Sequence, residues 1–210
     1  MTFKALYDLY MEDIKPRIRP TTYRSKEYMF TSKVLPFFAN LPCDQITPAK
    51  IRQWQNELVK GDYQETYLRT INNQVAAIFN FAVNYYGLPT NPAKRAGMIG
   101  KSHADVMRFW TVDDFQKFIN HTTTPLYRIS FLILFWTGMR VGEFLALTLE
   151  DFDFDKNLIH ITKSYARLDN KTIIGPPKTP KSRRDVSIPA FLVDEVQQFI
   201  QAQHSINPNA

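Results

Sequence analysis

The chain has 210 residues, 44% of them hydrophobic and 22% charged, with 16 Phe, 10 Tyr and 3 Trp. That composition supports a packed core and excludes a disordered tail, a collagen-like fibre and a coiled-coil rod; the single Cys43 excludes an intrachain disulfide and a cysteine-based zinc site. The net charge of +6 sits in the first half, where residues up to Lys101 hold 14 Lys and Arg against 8 Asp and Glu, while the remainder holds 12 of each.

In chain order, Phe3, Leu6, Tyr7, Tyr10 and Ile14 fall at helical spacing and predict a first helix closed by Pro16. Thr21 or Thr22 caps a second, which runs toward Leu35 and stops at Pro36. Thr47-Pro48 is a cap followed by proline at the first helical position, and Ile51, Trp54 and Leu58 make one stripe before Gly61. The longest apolar face, Leu68 to Tyr86, belongs to a helix opening near Gln64 and ended by Gly87 and Pro89. Residues 1–95 thus read as an all-helical domain, with Asn91-Pro92 a turn and 96–107 a linker. Gly97 to Ser102 ends like a phosphate-binding loop, but only two residues separate its glycines where four are required, and no strand precedes it. That function is excluded.

Beyond the linker, Thr111-Val112-Asp113-Asp114 reads as a capping box opening a helix to about His121. Pro125 starts another, apolar nearly all round to Trp136 and so expected to be buried. Thr137-Gly138 breaks it, and Arg140 to Leu147 forms a short helix. The period then changes. A first strand from Leu158 takes in Tyr165, Asp169-Asn170 turns, and Thr172 to Ile174 and Val186 to Ile188 supply two more strands. Pro189 begins a last helix. The fold class is mainly α with a small antiparallel β-sheet. The apolar run Ile129 to Trp136 is too short to span a bilayer, and the charged N-terminal pattern is not that of a signal peptide.

Two runs lack acidic residues: Lys15, Arg17, Arg19, Arg24 and Lys26, and later Lys171, Lys178, Lys181, Arg183 and Arg184. Such runs suit a polyphosphate backbone, whose counterions they displace. A solvated basic face explains either run alone; two in separate parts of the chain favour nucleic acid. The most informative segment is Trp136 to Leu147, where an apolar helix ends at a glycine and Arg140 starts a new helix with Glu143 three residues on. The two share a face, so Glu143 orients the guanidinium or caps the helix. A plain surface pair is the alternative.

This segment resembles the first arginine box of the tyrosine recombinase (phage integrase) family. Phe109-Trp110-Thr111 is similar to the entry of that family's catalytic domain. Pro176 to Pro189 is similar to the lysine-bearing β-hairpin of integrases from phages and conjugative transposons, and the helical first hundred residues look like the core-binding domain. The resemblance implies a core-binding domain followed by the N-terminal part of an α+β catalytic domain over 108–210. Arg140 would clamp the scissile phosphate, with Glu143 supporting it. Lys178 would protonate the leaving 5′-oxygen, with Lys181 a competitor for that task. Thr21, Thr22, Lys26, Tyr67, Arg69 and Asn73 would face the duplex, Asn73 or Arg69 reading base edges while phosphate contacts set the register. Lys181, Arg183 and Arg184 would add DNA contacts. For all of these, an ordinary exposed position is the alternative.

The implied partner is double-stranded DNA, with self-association on it as a tetrameric synapse in a complete enzyme. No cofactor, metal or membrane is implied, and the implied location is the bacterial cytoplasm. The family's His-x-x-Arg box, its further His or Trp and its tyrosine nucleophile have no match. His204 is followed by Ser205-Ile206-Asn207, and no tyrosine follows Tyr165. The expectation is therefore an N-terminal portion that binds DNA without cutting it. A truncated prophage remnant acting only as a DNA-binding protein is one alternative, and an RNA- or protein-binding module is another.

Overall fold

The computed structural model describes residues 1–103, 109–177 and 179–206. The chain divides into two compact units, Met1–Met107 and Arg108–Ala210.

In the first unit, α1 (Phe3–Ile14) is capped by Thr2, whose hydroxyl accepts the Ala5 N–H, and it buries Phe3, Leu6, Tyr7, Tyr10 and Met11. Helix α2 (Pro20–Met29) starts from Arg19, so Thr21 and Thr22 stand inside its first turn and cap nothing. The expected stop at Pro36 is replaced by a widened turn, Phe30–Val34, that carries the chain into α3 (Leu35–Phe38). Proline has no N–H to give and its ring crowds the carbonyl four residues back. Letting the Leu35 N–H reach Phe30 instead passes the defect without breaking the rod. Helix α4 (Pro48–Val59) is capped by Thr47, and α5 (Glu65–Tyr85) runs through the centre of the unit. Phe3, Phe30, Phe38, Ile51, Ile71, Ile78 and Phe79 are fully buried among these helices.

Asn91-Pro92, expected as a turn, repeats the Thr47-Pro48 device. Its amide oxygen accepts the Ala93 and Lys94 N–H groups and opens α6 (Pro92–Ala96). Ala93 and Ala96 join the core. The following residues stay on the unit: the Gly97 carbonyl accepts from Gln55, and Asn72 donates to the Met98 sulfur at 3.1 Å. A Cβ at Gly100 (φ +74°) would lie 2.0 Å from the Glu65 carbonyl oxygen. Of the two glycines that mimic a phosphate loop, Gly100 serves close packing and Gly97 (φ +82°) ends α6.

In the second unit, α7 (Val112–Asn120) opens with the expected reciprocal capping of Thr111 and Asp114. It is followed by α8 (Pro125–Thr137) and the one-turn α9 (Val141–Phe144). Five strands follow, β1 (Phe152–Asp153), β2 (Leu158–Ile161), β3 (Ser164–Leu168), β4 (Lys171–Gly175) and β5 (Arg184–Ser187), and then α10 (Ala190–Ile206). They form two sheets rather than one: an antiparallel β1-β2-β5 sheet and a separate β3-β4 hairpin. The expected first strand breaks at Thr162-Lys163. Its first part buries Ile159 and Ile161 in the core with Leu192 and Val196, whereas β3 and β4 have no such anchor and leave Ile173 and Ile174 exposed. Asp169 and Asn170, with φ of 47° and 63°, make the two-residue turn that right-handed strand twist favours.

Helix α8 is not buried all round. Ile129, Leu132 and Ile133 pack inward, but Leu126 and Tyr127 are more than half exposed. Its packed neighbours α7, α9 and α10 take only the inward stripe. Among the described residues no helix is long and apolar enough to cross a membrane.

Candidate phosphate-binding site

The turn after α8 places Arg140 at the start of α9 with Met139 buried behind it. Extended backbone at Arg140 lets its N–H donate to Glu143 Oε2 at 3.0 Å, while the Glu143 N–H donates to the Arg140 carbonyl at 2.9 Å. Gly142 makes the arrangement possible. A Cβ there would meet the Tyr165 carbonyl oxygen at 2.8 Å and the Ser164 hydroxyl at 2.9 Å, so α9 lies directly on the β3 backbone.

Glu143 is buried to 2% exposure, whereas the Arg140 side chain is 72% exposed. Arg140 Nη1 donates to Glu143 Oε1 at 2.8 Å. From the other side Arg184, at the start of β5 and paired with Ile161 of β2, donates to Oε1 at 3.3 Å and Oε2 at 2.9 Å. Arg184 also donates to the Ser182 carbonyl at 3.1 Å. Each carboxylate oxygen therefore accepts one bond from each arginine. Burial alone would raise the Glu143 carboxyl. The Arg184 guanidinium, then the Arg140 backbone N–H and guanidinium, outweigh it and pull the group from its ordinary value of 4.5 to about 2. Two guanidinium groups on one carboxylate leave a net charge of one positive unit, carried outward by the exposed Arg140. A planar guanidinium tethered at one nitrogen keeps further donors for an oxyanion, and a phosphodiester fits that fork.

A second buried carboxylate lies nearby in the chain. Asp151 accepts the Thr148 N–H at 2.7 Å, the Thr148 hydroxyl at 2.9 Å and the Lys163 ammonium at 2.8 Å. Burial works against ionisation here too, but Lys163 and the Thr148 donors hold the Asp151 carboxyl below its ordinary value. Asp151 and Lys163 stand outside the residues expected from the sequence, although Thr148-x-x-Asp151 is a capping-box pattern that marks the acid.

The remaining expected site residues are distributed as follows. Lys178 lies outside the described residues. Lys181, in the turn Pro180–Ser182, and Arg183 are exposed. The antiparallel pair bracketing this segment is β2 with β5, and the β3-β4 hairpin is inserted between them. In the first unit, Thr21 and Thr22 are exposed on α2. Lys26 is half-buried, donates to Gln74 of α5 and lies 5.9 Å from the centre of the Tyr10 ring; burial lowers its pKa. On α5, Arg69 and the exposed Asn73 stand one turn apart and share a face. Tyr67 is rotated well away from both at 100° per residue, and its ring packs against Tyr63 at 5.6 Å. Lys26 meets the flank that carries Tyr67 and Gln74, so Lys26, Tyr67, Arg69 and Asn73 divide between two sides of α5.

Residues 2–59 match the family model described as the phage integrase N-terminal SAM-like domain. The ICEBs1 integrase of Bacillus subtilis is 27% identical over 211 residues, covering 98% of this chain and 56% of that protein. Among solved structures, the Tn1549 transposon integrase in complex with a circular intermediate DNA superposes with a TM-score of 0.82 at 18% identity, over 96% of this chain and 65% of that one. The lambda integrase tetramer bound to a Holliday junction gives 0.65 at 15% identity, over 99% and 67%. The chain spans about half the length of the curated relatives it matches. Residues 2–59 thus match a phage integrase SAM-like domain, and homology to integrases and tyrosine recombinases extends over nearly the whole chain.

Proposed function

We propose that this chain is the DNA-gripping portion of a site-specific integrase from a phage or conjugative element. The observation that carries the reading is the exposed Arg140 guanidinium, fixed to a buried and ionised Glu143, in a chain whose relatives are integrases. In this reading Arg140 holds a backbone phosphate of duplex DNA. Its charge needs no rearrangement when negative charge develops there, which is the preorganisation that phosphoryl transfer uses. Lys178 is assigned to protonation of the leaving 5′-oxygen, with the exposed Lys181 the competing group, and Arg183 to the backbone.

The helical unit is the core-binding arm. Asn73 and Arg69, sharing one face of α5, are suited to base edges, with Thr21 and Thr22 as backbone contacts. The solved relatives include a tetramer on a Holliday junction, and self-association on DNA is proposed on that likeness. No tyrosine follows Tyr165 and no His-x-x-Arg occurs in these 210 residues, so strand cleavage is not assigned to them.

Duplex affinity measured across salt tests the reading. Affinity should fall steeply with salt, because phosphate contacts release counterions. Arg140→Ala should weaken binding about tenfold, the worth of a charge-assisted bond, with the chain still folded and only a small loss of thermal stability, because Arg184 and the backbone N–H of residue 140 still hold Glu143. Affinity that is flat with salt, or an Arg140→Ala variant that binds like the parent, overturns it.

A further inference from the structure

The sequence groups Arg184 with Lys181 and Arg183 as one DNA-contacting run, but its surroundings differ from theirs. Both of its terminal nitrogens are engaged by Glu143, and one also by the Ser182 carbonyl. Its side chain is 33% exposed, less than half the exposure of Arg140. We infer that Arg184 is a positioning residue, which holds the Glu143 carboxylate in the orientation that aims Arg140 at a DNA phosphate and makes no phosphate contact itself. This inference rests on the assignment of Arg140 to phosphate.

Two physical arguments support it. The first is geometric. Held by Arg140 alone, the carboxylate is fixed to rigid structure only at Oε2, by the backbone N–H, and Oε1 can swing with the mobile guanidinium. A second fork arriving from β5, gripping both oxygens, removes that freedom. Strand β5 is itself fixed by its ladder to β2, where Arg184 pairs with Ile161 in the core.

The second argument is electrostatic. A buried carboxylate directly beneath a phosphate-binding arginine would cancel its charge and repel the incoming phosphate. Arg184 neutralises Glu143 from within, so the full positive charge of Arg140 remains available outside. Lys181 and Arg183 beside it are exposed.

The test is a double-variant cycle on the 210-residue chain. Duplex affinity and thermal midpoint are measured for the parent, Arg140→Ala, Arg184→Gln, Arg184→Lys and the Arg140→Ala/Arg184→Gln pair. Arg184→Gln should weaken binding about tenfold, yet adding it to Arg140→Ala should cost less than about twofold more, because the two act through one contact. Arg184→Lys should stay at least about fivefold weaker than the parent, since a single ammonium cannot span both carboxylate oxygens. Losses that multiply in the double variant, or an Arg184→Lys variant that binds like the parent, overturn the inference in favour of an independent contact or of charge alone. Should Arg184→Gln fail to fold, the Lys variant decides alone, because it keeps the charge. An Arg140→Ala variant of parental affinity refutes the phosphate assignment itself, whatever Arg184 does.

Discussion

Glu143 and Asp151 are built on one local plan and end in opposite roles. Each occupies the third position of a short helical turn and accepts the N–H of the residue that opens it, Arg140 in one case and Thr148 in the other. Each is buried, and each holds a cation supplied by the sheet region, Arg184 on β5 or Lys163 just after β2. The difference is the opening residue. Thr148 turns its hydroxyl inward onto Asp151 and accepts from Lys163, which closes a neutral network. Arg140 contributes a second cation and reaches outward, so that cluster keeps a positive charge at the surface. Burial and a lowered pKa mark both acids. The surplus outward cation distinguishes the candidate site from a structural clasp.

The sharpest way to break this distinction is Glu143→Gln. It leaves two guanidinium groups facing a neutral amide in a buried position, and loss of one partner from a buried ion pair costs about 3–5 kcal/mol. Arg140 is solvent-exposed and screened, so about 3 kcal/mol is expected in urea unfolding, with duplex affinity down at least about tenfold. Parental stability together with parental affinity would remove Glu143 from any role.

The acid limb of stability follows from the same group. The folded pKa of Glu143 lies near 2, below its ordinary 4.5, so its contribution is complete above about pH 4.5 and is lost as pH falls toward 2. The full swing is about 3 kcal/mol, and Asp151 adds to it in the same direction. Urea midpoints at pH 5 and pH 3 should differ clearly in the parent and much less in Glu143→Gln. Equal differences in the two proteins would show that the acid sensitivity arises elsewhere.

What could be read from the sequence follows from how far each interaction reaches. Caps and stripes are local, so the helices carrying Thr47, Thr111 and the Leu68 to Tyr86 face come out where periodicity puts them. The Arg140–Glu143 pair is also local, three residues apart on one turn. Arg184 meets Glu143 across 41 residues and Lys26 meets Gln74 across 48, and no periodic pattern encodes either meeting. Both cations therefore looked like surface charge. Pro36 was read by a correct rule about its missing N–H, but the widened turn before it depends on the preceding carbonyls, which a single-residue rule does not weigh. The composition of α8 suggested burial, whereas its exposure depends on how many elements pack around it.

The smallest expected effect tests the other half of the comparison. Asp151→Asn keeps one amide oxygen to accept from the Thr148 donors, which share a single oxygen of Asp151, and removes the charge facing Lys163. Lys163 is 28% exposed and can turn its ammonium to solvent, so the loss should be about 1–2 kcal/mol rather than that of a fully trapped cation. Duplex affinity should stay within about twofold of the parent, because no outward-reaching cation depends on this carboxylate. If affinity instead falls as far as it does for Glu143→Gln, the two clusters act as one electrostatic unit. The distinction by net charge would then have to give way to one based on the summed field of the surface they share.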